Sequence, residues 1–160
     1  MEYKTAWKKY TAADLEAVLF RDVLGEYTTN VSGTAARKSN VKLSAASINN
    51  YVMNTGDVFS YNETVGERTA ERGFKEATIY VGNSAEDGLG GGVCQVSSTI
   101  YYCCLVADLE IVNRLPHSYV SNYMPMGMDA TVSWGGPEFR FKNNTNYPIR
   151  IEAEVSDGKV

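Results

Sequence analysis

The chain has 160 residues, 44% hydrophobic and 21% charged, which suits one globular domain with or without a fringe. Such a length buries a core without a metal or a disulfide framework. Fifteen Lys and Arg against nineteen Asp and Glu leave a net charge of −4 and a pI near 5.0, which argues against nucleic acid as the main partner. No run of about 18 apolar residues spans a membrane. The opening MEYKTAWKKYTAADLEA has lysines but no apolar stretch of signal-peptide length. Either the protein is cytosolic or its targeting segment lies outside this sequence. Three cysteines, an odd number, argue against a disulfide scaffold, and His117 is the single histidine.

The pattern from Thr11 to Leu24 predicts a helix: Thr11 caps, Leu15, Val18, Leu19 and Val23 share a face, and Gly25 stops it. Glu26 to Val31 reads as a short strand and Ser32 to Lys38 as a loop. A second helix is expected from Val41 to Asn54, capped by Asn40 and ended before Gly56. Asp57 to Phe59 reads as a strand, then a polar stretch to Glu76 as a long ordered loop, of a kind often functional. Thr78 to Val81 reads as a strand, and Asn83 to Gly92 as a Gly-rich acidic loop. Helical patterning returns from Cys94 to Leu109. Four strands follow, at Glu110 to Arg114, Ala130 to Trp134, Glu138 to Lys142 and Pro148 to Val155, joined by Gly-Gly-Pro and Asn-rich turns. The expected class is α+β: N-terminal helices, a central Cys-bearing helix and a C-terminal antiparallel sheet.

The sharpest local feature is GLGGGVCQVSSTIYY, residues 88 to 102. Glycines allow close backbone approach and positive φ, and Gly91 and Gly92 lead into a helix whose first turn holds Cys94. A helix N-terminus carries spare N–H groups and partial positive charge, which favour thiolate over thiol. Thiolate is the nucleophilic form, so a catalytic cysteine belongs in such a place. The competing reading is packing, because free cysteine is among the most buried residue types. His117, in RLPHSY, is the candidate base, and Asp129 in GMDATV, with Asn122 as the alternative, would orient the ring. The order Cys, His, Asp along helix, strand, strand is distantly reminiscent of transglutaminase-like cysteine folds. The bland alternative for His117 is a half-buried imidazole bonded to backbone. Gln95, or a backbone N–H beside it, is placed for an oxyanion hole, whereas Ser97 and Ser98 either line a substrate site or bond back to the previous turn.

Cys103 and Cys104 read as core thiols. On a continuous helix Cys103 lies ~13 Å along the axis from Cys94, beyond the ~7 Å a disulfide spans. C-x8-C-C with one histidine also fails as a zinc pattern, so no metal or other cofactor is expected. Arg68 and Arg72 have the chemistry to clamp a substrate carboxylate or phosphate, or simply to sit in a solvated loop. Met124, Met126 and Met128 alternate; on extended backbone they would share one side beside His117.

Longer blocks match a known family. GERTAERGFKEA, GLGGGVCQVSSTIYYCCLVADLEIVNRLPHS and GMDATVSWGGPEFRFKNNTNYPIRIEA occur in order, and together they resemble the VanW family, named from vancomycin-resistance clusters. The resemblance covers about Ala35 to Val155. It implies a cell-envelope protein outside the cytoplasm of a Gram-positive-type bacterium, with a membrane anchor or signal N-terminal to this sequence and wall-associated modules beside it. On that resemblance, residues 1–34 are a helical extension packed on the core, 35–155 the VanW-like domain, and 156–160 the start of a linker or further module. The family's pattern maps here to Gly90, Gly91, Gly92, Cys94, Gln95, His117 and Asp129, and departs from it at Cys103–Cys104. Three readings then compete: a cysteine hydrolase or acyltransferase acting on peptidoglycan peptides or similar amides, a non-catalytic module binding a wall polymer or a partner protein, and a structural domain whose glycines and cysteine build a corner.

Overall fold

The computed structural model describes residues 19–81 and 84–160. Over these the protein is α+β, with helices α1 (Ala35–Ile48), α2 (Tyr61–Val65) and α3 (Val93–Val106). The strands are β1 (Tyr51–Met53), β2 (Val58–Ser60), β3 (Glu76–Val81), β4 (Ser84–Leu89), β5 (Glu110–Asn113), β6 (Arg140–Lys142) and β7 (Ile149–Ile151). In place of one C-terminal sheet there are three small antiparallel ones: β1–β7, β2–β6–β5 and the hairpin β3–β4.

Helix α1 starts earlier than its apolar spacing predicts. Thr34 is the N-cap, its hydroxyl accepting from the Arg37 N–H at 3.2 Å, so SGTAARK is not a loop throughout. Asn40, the expected cap, is instead fully buried in mid-helix. Its amide nitrogen donates to the carbonyls of Lys75 (2.8 Å) and Gly91 (3.0 Å), and its oxygen accepts from the Lys75 N–H (2.8 Å). One side chain thus ties α1 to the entry of β3 and to the glycine loop before α3. The stretch expected as a Gly-rich loop is mostly strand β4, paired with β3 from Glu76↔Leu89 to Val81↔Ser84. Its residues are almost all exposed, so they carry no apolar alternation to betray the strand.

The core lies between α1, α3 and the strands that bracket the C-terminal half. Val41, Ala45 and Ile48 of α1 and Val93, Val96, Ile100 and Cys104 of α3 are all buried in it. Phe59 of β2 and Phe141 of β6 face each other across the pair, ring centroids 5.1 Å apart, with Phe139 and Tyr101 extending the aromatic stack. The FKNNT turn is locked by buried Asn143, which donates to the carbonyls of Met53 and Tyr147 and accepts from the Thr145 backbone and hydroxyl. The strand expected at Ala130 to Trp134 does not form: Trp134 lies in a turn, and Thr131 N–H reaches the Leu115 carbonyl at 2.9 Å.

Most of the expected first helix lies outside the described residues, and Leu19 to Leu24 is turn and irregular chain. The expected strand at Glu26 to Val31 reduces to one bridge, Asn30↔Lys159, flanked by bonds from Thr29 N–H to the Val160 carbonyl and from Val31 N–H to Gly158. The methionines do not share a side: Met124 is buried, Met126 is 80% exposed and Met128 is half-buried in a turn.

Candidate active site

Cys94 sits in the first turn of α3, after an N-cap glycine, Gly92, with φ 106°. No side chain caps this end. The glycines are needed for closeness as well as for torsion: a Cβ on Gly91 would lie 2.5 Å from the Ala77 carbonyl oxygen, and one on Gly92 would lie 2.8 Å from the Arg37 stem. The corner therefore presses α3 against β3 and α1 and sets where the sulfur points.

The half-buried sulfur faces the extended segment after Asp129. Val132 N–H donates to Sγ at 3.4 Å, the Val132 carbonyl lies 3.3 Å away, and the Thr131 hydroxyl is at 3.9 Å. The His117 ring is close enough to the sulfur for each group to shift the other's ionisation. On the other edge of the ring Nδ1 is 2.5 Å from Asp129 Oδ2, which also accepts the His117 backbone N–H at 2.7 Å. With Nδ1 engaged, Nε2 is left for the sulfur. Asp129 is held in turn by Arg114, which donates to its carbonyl (2.6 Å), to its Oδ1 (3.2 Å) and to the Gly127 carbonyl (2.8 Å). Asn122, the alternative orienting group, is exposed, and Asp129 occupies the place it would have filled.

The electrostatics follow from this relay. Burial alone would raise the Cys94 pKa, but the hydrogen bond and charge of His117, with the Val132 N–H and Thr131, outweigh it and the thiol is lowered from its usual value. Burial would lower His117, but Cys94 and then Asp129 outweigh it and the imidazole is raised. Burial would raise Asp129, but the His117 backbone N–H and ring outweigh it and the carboxyl is lowered. All three shifts favour a thiolate beside an imidazolium, backed by a carboxylate. Cys103 behaves as a packed thiol, burial pushing it up to about 11, and Cys104 is also raised by burial.

The other expected residues divide. Gln95 is fully buried with its amide engaged: Nε2 donates to the Thr29 hydroxyl and the Asn30 carbonyl, both at 2.9 Å, and Oε1 accepts from Arg37 at 2.7 Å. Its backbone N–H is bonded to the Gly92 carbonyl. It is a strut between α3, α1 and residues 29–30, without a donor to offer an oxyanion. Ser97 and Ser98 likewise face inward. Both bond the Cys94 carbonyl and the Ala130 carbonyl, and Ser98 accepts the Ala130 N–H, so they fasten the segment bearing Asp129 to the helix bearing Cys94. Arg68 is buried, whereas Arg72 is exposed and donates to the Glu67 carbonyl.

Sequence reasoning missed three residues here. Arg114 stands in the same RLPHS segment as the histidine, a cue that it serves the same site. Tyr61 is fully buried, pairs with the Ser44 hydroxyl and donates to the Val93 carbonyl at 3.0 Å, next to Cys94. Tyr123, within electrostatic reach of Cys94, carries no local signal. A cleft of about 200 Å³ opens beside the ring, lined by Pro116 to Ser121, Met126, Gly127 and Asp129.

Comparison with known proteins agrees with the sequence blocks. The family described as VanW like protein matches residues 36–160. The chain is 44% identical to the uncharacterised protein YoaR of Bacillus subtilis (strain 168), over 92% of this chain and 49% of that one. It is 26% identical to vancomycin B-type resistance protein VanW of Enterococcus faecalis, over 76% of this chain and 46% of that one. It thus spans about half the length of these relatives. No solved structure matches, so the likeness to transglutaminase-like folds gains no support. With the match running from α1 through β7, and the glycine corner, Cys94, His117 and Asp129 all inside it, the chain belongs to the VanW-like protein family.

Proposed function

We propose that this domain is a cysteine-dependent acyl-transfer enzyme, a hydrolase or transferase, that acts on amide bonds of cell-wall peptides outside the cytoplasm. The observation that carries the reading is the sole imidazole, 2.5 Å from the Asp129 carboxylate on one side and close enough to Cys94 for the two to shift each other's ionisation. A structural cysteine requires no base, and a buried structural histidine requires no thiol. The wall setting rests on the family resemblance and on the resistance named for the Enterococcus relative.

The chemistry then runs in balanced steps. The Cys94 thiolate adds to the substrate carbonyl carbon, forming a C–S bond and placing the carbonyl electron pair on oxygen. The Cys94 N–H, at the positive end of α3, faces that oxyanion. As the oxyanion collapses the C–N bond breaks, and His117 gives its Nε2 proton to the departing amine. A thioester remains. Water, or the amine of a second peptide, loses a proton to the now neutral His117 as it adds to the thioester; collapse returns the thiolate and the imidazolium. Asp129 keeps Nδ1 protonated and the ring aimed throughout, and Arg114 holds Asp129.

Intact-mass measurement after incubation with wall stem peptides tests this. The expected result is an acyl adduct on the wild-type protein, absent from Cys94→Ala, with peptide cleaved or exchanged. Unaltered peptide and no adduct, with equal binding to wild type and Cys94→Ala, would establish a binding module instead.

A further inference from the structure

We propose that Arg68 is a positioning residue of this site: a buried, permanently charged guanidinium without an acidic partner, whose positive charge holds the Cys94 sulfur in its anionic form. The proposal rests on the reading of Cys94 as the nucleophile. Arg68 is only 8% exposed, yet among the described residues it makes no ion pair. Its Nη1 donates to the Gly66 carbonyl at 3.0 Å, while Nε and Nη2 are buried without a hydrogen-bond partner. An arginine in this condition is costly, since a desolvated charge normally demands an anion and its own donors filled. A methionine would fill the same space more cheaply.

The placement shows where that charge acts. The arginine stem packs under the glycine corner: a Cβ on Gly90 would lie 2.8 Å from Arg68 Cγ. The guanidinium carbon is 5.8 Å from the centre of the Tyr61 ring. Tyr61 in turn donates to the Val93 carbonyl, one residue before Cys94. These contacts tie Arg68 to the residues that lead into Cys94, within electrostatic range of it. The sulfur is in contact with the Thr131 hydroxyl and the Val132 N–H, and the titratable groups within electrostatic range of it are His117, the phenols Tyr61 and Tyr123, and Arg68, with Asp129 bonded to His117. Burial holds both phenols well above the neutral range, so they are uncharged. Glu138 attracts Arg68 and Arg72 repels it; its guanidinium stays protonated regardless. His117 moves its proton during the reaction, whereas Arg68 does not, so Arg68 keeps the sulfur a good nucleophile and leaving group when the imidazole is neutral.

The test is the pH dependence of iodoacetamide alkylation of Cys94, read by peptide mass spectrometry, in wild type, His117→Ala, Arg68→Gln, Arg68→Met and Arg68→Lys. The Gln variant keeps a donor for the Gly66 carbonyl, and urea midpoints report which variants are folded. In Arg68→Gln and Arg68→Met the inflection is expected to rise by about one pH unit, with Arg68→Lys close to wild type. A folded Arg68→Gln or Arg68→Met that titrates with wild type, while His117→Ala is displaced upward, would overturn the role of Arg68 and leave the cysteine–histidine reading standing. An ordinary wild-type thiol, unmoved by His117→Ala, would overturn both.

Discussion

Burial pushes Cys94 and His117 toward their neutral forms, and each outweighs that push by charging the other. Because the Cys94 pKa is lowered and that of His117 raised, the thiolate–imidazolium pair occupies the window between the two apparent limbs of the coupled system. Turnover of a wall peptide is expected to follow a bell: it rises as pH passes the lowered cysteine limb and falls above the raised histidine limb, where no proton remains for the leaving amine. Alkylation needs only the thiolate, so its rate is expected to rise and then stay level. Asp129→Asn removes the charge that supports the ring, and alkylation near neutral pH is expected to slow about tenfold, read by the same alkylation kinetics. Asp129 itself is lowered, so its contribution to stability is complete above the usual carboxyl range and is lost only as pH falls through its lower folded value. An acid unfolding curve that loses its lowest-pH limb in Asp129→Asn checks the sign. Cys94, His117 and Asp129 are readable in the sequence: glycines stand before Cys94, proline before His117, and Asp129 opens a block, DATVSW, whose expected strand does not form. Arg68 is readable only as an arginine in a polar loop; that it is buried and unpaired depends on Tyr61 and Gly90, which no local pattern links to it.

Apolar patterning marks some elements and misplaces others: the helix expected to run to Asn54 ends at Ile48, and Tyr51–Met53 is strand β1. Helix α3 and strand β2 show burial in their spelling. The first turns of α1 show nothing of the kind, since they are fixed by the Thr34 cap, and the helix is anchored by Asn40 rather than by a leucine. Asn40 was assigned to a cap on its local merits; its three buried bonds to Lys75 and Gly91 are visible only once chain segments 35 to 51 residues away are brought beside it. Asn40→Ala strands the Lys75 N–H and the Gly91 carbonyl, and is expected to destabilise the protein by about 2–3 kcal/mol. Lys42→Ala, on the exposed side of the same helix, is expected to change stability by less than about 0.5 kcal/mol. Urea denaturation of the two variants makes the comparison. Strand β4 escaped for a related reason: its pairing with β3 is satisfied between backbones, and its own side chains are almost all exposed.

Gln95 joins α3, Arg37 of α1 and residues 29–30, the last of which bridge to Lys159 and Val160. The residue next to Cys94 thus holds residues 29–30, and through them the C-terminal residues, against α3. Gln95→Met keeps its volume and leaves the Asn30 carbonyl and the Arg37 donor without that partner. It is expected to lower stability by about 2–3 kcal/mol while the Cys94 alkylation inflection stays at its wild-type pH. Urea midpoints and alkylation curves measured on one preparation separate this from an oxyanion-hole role, in which turnover would fall with stability intact. The α+β class and the family blocks are readable from the order of elements, whereas the division into three small sheets is not, because it depends on β7 returning to β1 across almost a hundred residues.

The central claim is that the imidazole is charged by its neighbours, and the single histidine lets it be read without assignment ambiguity. With 15N-labelled histidine, the ring nitrogens of His117 report protonation directly in a pH titration. The expected result is an imidazolium that persists well above the usual histidine pKa of about 6.5 in wild type and titrates lower in Cys94→Ala. A ring that titrates at the same ordinary pH in both proteins would contradict it.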